Sequence, residues 1–176
     1  MFTSATADDF YWVGGTGSWS DFASHWATTS GGVVFHPNAP TDADDVIFDA
    51  NSFAGGETVT LDVDGTALSI DMSTNNVVFN FSGAGVRTLT VEGNVALDAQ
   101  ADFSGFSGTI ILNGEDAGAS HTFDVNGTSL ALVPVIVNFL ELKSIPRTAS
   151  PATSTSKLTQ VWSKKVKSIV PDCTPN

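Results

Sequence analysis

At 176 residues with a single cysteine, Cys173, the chain is one domain long enough to bury a core, without an internal disulfide framework or a cysteine-based zinc site. Its charge is divided: residues 1–142 hold eighteen acids and one base, Arg87, a balance of −17, whereas residues 143–176 carry +5. A body at −17 repels phosphate, which argues against nucleic acid as a partner, and no apolar run is long enough for a membrane span.

Residues 1–9 are polar and read as a flexible N-terminus. They have neither a basic nor an apolar signal region, so no cleaved secretory signal is expected. A virion component released by lysis would need none. Residues 10–44 form a Trp-rich cap segment. Trp12, Trp19 and Trp26 recur at intervals of seven, laced with Gly14, Gly15 and Gly17 and preceded by Tyr11. The turn-rich stretch Gly31 to Pro40 follows.

From residue 45 short alternating runs take over. Val59, Leu61 and Val63 share one face, as do Leu68, Ile70 and Met72, and then Val77, Phe79 and Phe81. Leu89 with Val91, Val95 with Leu97, Ile110 with Leu112, Phe123 with Val125 and Val135 with Val137 continue the pattern. Turn dipeptides such as Asp64-Gly65, Asn113-Gly114 and Asn126-Gly127 separate the runs. Short, one-sided strands over 45–138 predict an all-β solenoid, with a β-sandwich as the alternative. Grouped in threes (59–63, 68–72, 77–81; 89–91, 95–97, 110–112; 123–125, 130–132, 135–137), they give about three rungs. A single turn of coil cannot bury its own inner face, so stacked turns and capped ends are required.

Residues 139–157 are Ser/Thr/Pro-rich and read as a linker. In the basic tail 158–176, Leu158, Val161, Trp162, Val166 and Ile169 fall at helical intervals, which fits a short amphipathic helix or a frayed tail.

The run Trp12, Gly14, Gly15, Gly17, Trp19, Trp26, then Pro40, Thr41, Asp44, Val46, Phe48, Asp49, then Val59, Leu61, Asp62, resembles a recurring element of bacterial and phage surface proteins built on β-strand repeats, including autotransporter passenger-type regions. The resemblance covers residues 10–72 well and residues to about 138 in style only. It implies a right-handed parallel β-helix serving as an adhesin stalk, tail fibre or spike.

Exposed tryptophans stack on sugars and serve as interaction hot spots, so Trp12, Trp19, Trp26 and Tyr11 are candidates for glycan binding. The favoured reading is a hydrophobic cap closing the coil, because an open coil end must be covered. Asp42, Asp44, Asp45, Asp62 and Asp64 could offer oxygens to Ca²⁺, and Asp62-Val-Asp64-Gly65 echoes the start of a calcium loop without its closing Glu. Turn chemistry explains such aspartates equally simply. His25, His36 and His121 have no metal-ligand spacing, and His25 is expected in the aromatic unit. No nucleophile elbow, phosphate loop or dinucleotide fingerprint is present.

The sequence therefore predicts a non-enzymatic module on a virion or outside the cell, with no cofactor beyond the Ca²⁺ considered above. Its partners would be other structural subunits or cell-surface glycans, and exposed solenoid faces invite homo-oligomers. A glycan-binding module is the alternative, and a polysaccharide-degrading spike fragment the third reading.

Overall fold

A computed structural model of the protein describes residues 7–114, 120–130, 132–138 and 159–163. Strands β1 (Asp9–Trp12) and β2 (Gly17–Ser18), the single helical turn α1 (Phe22–His25) and strand β3 (Trp26–Ala27) make up the aromatic segment. Nine short strands then wind in order: β4 (Asp45–Ile47), β5 (Glu57–Leu61), β6 (Gly65–Ala67), β7 (Ser69–Asp71), β8 (Phe79–Gly83), β9 (Thr88–Val91), β10 (Val95–Ala96), β11 (Ala101–Asp102) and β12 (Thr109–Leu112). They are followed by β13 (Ser120–Asp124), β14 (Val135–Val137) and β15 (Thr159–Ser163).

Parallel pairing joins one turn to the next and not neighbours in the chain: most strands pair with the strand three places on, and β12 pairs with β14, two places on. Three sheets result: sheet I in the order β15-β13-β10-β7-β4-β1-β3, sheet II as β11-β8-β5-β2, and sheet III as β14-β12-β9-β6. That connectivity is a β-solenoid of about four turns, and it rules out the sandwich. Among the described residues the only antiparallel strand pairs are β1–β3 and β13–β15, and both lie at the ends of sheet I.

The rung boundaries differ from the sequence grouping. A turn begins at sheet I, so β4-β5-β6 form the first full turn, β7-β8-β9 the second and β10-β11-β12 the third. Val46, Ile70, Val95 and Phe123 form one column, at steps of about 25 residues. The shift arose at β6, whose Gly65 reads as a turn residue in sequence yet sits in a strand.

Inward residues alternate along each strand and stack between turns. Val59 lies over Phe81, and Gly65 over Leu89 over Ile110. Phe48, Phe79, Phe81 and Phe103 extend an aromatic column down the interior, with Phe48–Phe79 centroids at 5.7 Å and Phe81–Phe103 at 5.1 Å. Removal of these faces from water is the main stabilising term.

Corners after sheet I use one device repeatedly. The carboxylates of Asp49, Asp71, Asp98 and Asp124 each accept the backbone N–H two residues on, at 2.8–3.0 Å. This Asx turn reverses the chain with a single residue type, and it accounts for part of the acidic count.

Two boundaries change. Asp9 already belongs to β1, so the coil starts within the segment read as loose. Thr159–Ser163, inside the segment whose spacing fits a helix, is a strand antiparallel to β13. The linker 139–157 and Cys173 lie outside the described residues.

Candidate functional site: the aromatic end and the outer faces

The aromatic segment is the first partial turn of the coil. β1 lies parallel to β4 with Phe10 opposite Val46, and β2 lies parallel to β5 with Gly17 opposite Val59. β3 then folds back on β1 and pairs Trp12 with Trp26. All three tryptophans turn inward and none is more than 1% exposed.

Their rings interlock edge to face. Trp26 lies 4.9 Å from Trp12 and 4.9 Å from Trp19, at interplanar angles of 81° and 74°. Such geometry adds to burial alone. Two of the indole N–H groups are satisfied inside the plug: Trp12 Nε1 donates to the Gly15 carbonyl at 2.8 Å, and Trp26 Nε1 donates to the Trp19 carbonyl at 2.7 Å. Trp26 also meets Phe48 of the first full turn at 5.9 Å.

The spacing of the glycines follows from two close approaches. His25 is 8% exposed and stacks on Trp12 at 4.6 Å, and its Nδ1 donates to the Val13 carbonyl at 2.7 Å. A Cβ on Gly17 would overlap that imidazole ring. Across the coil, a Cβ on Gly65 would lie 2.8 Å from Leu61 and 3.1 Å from the Trp19 indole. Gly65 is thus the vacancy in sheet III into which Trp19 reaches from sheet II. Neither role is visible in a motif of tryptophans and glycines alone.

With no exposed ring face, Trp12, Trp19 and Trp26 cannot act as a stacking platform for sugar. Their arrangement is that of a plug. Tyr11 is the outward member of β1, half-buried, with its hydroxyl donating to Asp9 at 3.3 Å. Burial first, and then the Asp9 charge, hold its pKa above the ordinary value. His36 stacks on Phe10 at 3.6 Å, and its Nε2 donates to the Asp9 carbonyl at 3.0 Å.

Four of the five aspartates proposed for Ca²⁺ have separate structural duties. Asp44 is buried and accepts both the N–H and the hydroxyl of Thr41, at 2.9 and 2.6 Å. Asp45 accepts the Ser69 hydroxyl on the outside of sheet I. Asp62 accepts the N–H of Ser20 at 3.0 Å and also its hydroxyl, tying the aromatic segment to the first full turn. Asp64 accepts the Thr88 N–H at 3.0 Å, one turn further on. Asp42 is exposed. Among the described residues no group of three or more His, Cys, Asp or Glu is placed to hold one ion. Burial pushes the Asp62 carboxyl up, but the Ser20 hydrogen bonds and the nearby Arg87 charge outweigh it, so its pKa lies below the ordinary value.

The three outer faces differ in chemistry. Sheet I presents Asp9, Asp45, Asp71 and Asp124, with a shallow groove of about 410 Å³ over Ser69, Asp71, Asn94, Ala96, Thr122 and Asp124. Sheet II presents hydroxyls and amides that bond to one another: Thr60 with Ser82 at 3.3 Å, and Asn80 donating to Thr58 at 3.4 Å. Sheet III presents Thr66, Thr88, Thr90 and Thr109, then Ile111 and Ile136. His121 is buried at the start of the last turn, away from the aromatic end. Among the described residues no helix is long and apolar enough to cross a membrane. Compared with protein families, with curated proteins and with solved structures, the chain matches none of them.

Proposed function

We propose that the protein is a non-enzymatic structural or adhesive module, a fibre or spike segment of a phage virion or a stalk on a bacterial surface. The observation that carries this reading is the plug: the chain's most conspicuous side chains, its three clustered tryptophans, are consumed in closing the end of a parallel coil. The acids support it in the same way. Asp49, Asp71, Asp98 and Asp124 make corners, Asp44 and Asp62 brace loops, and each is accounted for by an architectural bond. A regular coil supplies length and repeated outer faces, which suit a stalk or fibre. The resemblance of residues 10–72 to surface β-repeat proteins points the same way.

The test is location. Antibody raised to the folded coil, applied with gold labelling to intact virions and intact cells of the source, is expected to decorate an appendage or the cell surface. Label confined to the interior of permeabilised cells would overturn the proposal.

A further inference from the structure

We infer that Asn126 is a site of spontaneous covalent modification: the Gly127 nitrogen attacks its side-chain amide, and the residue ends as aspartate or isoaspartate. The inference is independent of the module reading and stands on the geometry of one turn.

The sequence holds two Asn-Gly pairs, Asn113-Gly114 and Asn126-Gly127. Both carry the same latent chemistry, because a glycine has no Cβ to obstruct the approach of its own nitrogen to the preceding side chain. Ring closure between neighbours needs no diffusion, so the rate depends on how freely the two groups can meet. The fold treats the two pairs differently.

Asn126 and Gly127 are the central residues of a tight turn, closed by the Thr128 N–H donating to the Val125 carbonyl at 2.7 Å. Their φ values, 40° and 88°, are both left-handed, as a type I′ turn requires. Among the described residues Asn126 is the only one other than glycine with a positive φ, and an L side chain is strained there. Closing the ring therefore draws Asn126 out of a strained conformation. Gly127 is exposed and Asn126 is half-buried. Among the described residues neither the Asn126 side-chain amide nor the Gly127 N–H has a hydrogen-bond partner. The nucleophile and the group it attacks are both free, in a turn that water reaches.

Asn113 is held. Its amide nitrogen donates to both oxygens of Glu92, at 3.0 and 2.9 Å, and its Oδ1 accepts the Asn138 amide at 2.9 Å. Its backbone N–H donates to the Val91 carbonyl at 2.8 Å, and Gly114 is buried. The side chain must leave charge-assisted bonds before it can turn toward Gly114, which lowers the reactive population by about tenfold or more.

The reaction balances with water alone. The Gly127 nitrogen gives up its proton and forms a bond to the Asn126 Cγ. The Cγ–Nδ2 bond breaks, and ammonia leaves with that proton. Water then adds to one carbonyl of the cyclic imide. Opening on one side gives aspartate; opening on the other routes the main chain through the side chain as isoaspartate. Ala96 pairs with Asp124, so the new carboxylate stands beside Asp98 of the preceding turn. It adds charge to a body that already carries −17.

The test follows both sites in the full chain, folded and in denaturant, through incubation in mildly alkaline buffer. Peptide mapping by mass spectrometry reads the loss of amide, and enzymatic isoaspartate methylation counts the rearranged product. In denaturant the two pairs are expected to react at similar rates. In the folded protein Asn126 is expected to outpace Asn113 by about tenfold or more. Reaction through global unfolding would modify both at one rate, so the ratio isolates the turn. Folded Asn126 that reacts no faster than folded Asn113 overturns the inference. So does conversion at Asn126 without isoaspartate, which would mark direct hydrolysis of the amide in place of attack by Gly127.

Discussion

The first turn of the coil and the last described turn meet the same physical problem with different side chains. A turn of β-solenoid buries its inner face only against another turn or a cover. At the N-terminal end, Phe10, Trp12, Trp19, Trp26 and Phe48 form that cover, each no more than 1% exposed. Around the last described turn, Val135 is half-buried and Val137 is 36% exposed. The difference teaches that stability is concentrated where the large rings are, and that each strand further along adds a smaller, more uniform increment.

Substitutions should expose this gradient. Trp26→Ala removes the ring that touches Trp12, Trp19, Phe10 and Phe48 at once. It is expected to cost about 3–5 kcal/mol in denaturant unfolding. Ile136→Ala at the other end, measured in dilute protein, is expected to stay within about 0.5 kcal/mol. Equal losses at the two ends would erase the comparison.

Gly17→Ala comes next, at about 1–3 kcal/mol, because its methyl group overlaps the His25 ring. The double variant Gly17→Ala with His25→Ala should recover part of that loss. A double-mutant cycle showing simple additivity would deny the coupling.

An effect of similar size to that of Gly17→Ala concerns the bond between the aromatic segment and the first full turn. Asp62→Ala should cost about 1.5–3 kcal/mol, as for hydrogen bonds to a charged group. The Asp62 pKa is lowered by folding, so its contribution is present above the ordinary aspartate range and is lost as pH falls through the lowered folded value. Stability of the wild type should therefore drop on acidification more steeply than that of Asp62→Asn, as read from unfolding midpoints against pH.

Much of this architecture was legible from local chemistry. Period-2 runs bounded by turn residues gave an all-β coil, since a strand with one buried face must alternate. The choice of plug over platform followed from the need to cover an open end. Register was less legible, because it depends on which residues stack over one another between turns. Gly65 shows why: beside Asp64 it looks like a turn residue, yet it is a strand position emptied to admit Trp19, and only the packed structure reveals the ring that fills the space. His25 lies in the aromatic unit as expected, but its partners there were hidden for the same reason. Its place in the motif depends on Gly17 and Trp12, which a linear spacing of tryptophans does not encode. Thr159–Ser163 departs from its helical spacing because β13 offers an open sheet edge, and pairing overrides a short helix of marginal stability.

Collisional quenching of tryptophan fluorescence tests the plug most directly. In a Trp162→Phe background the remaining emission comes from Trp12, Trp19 and Trp26. The account predicts that a neutral quencher barely reaches them in the folded protein and reaches them freely once denaturant unfolds it. Quenching of the folded protein as strong as that of the unfolded chain would contradict the closure of the coil by these three residues.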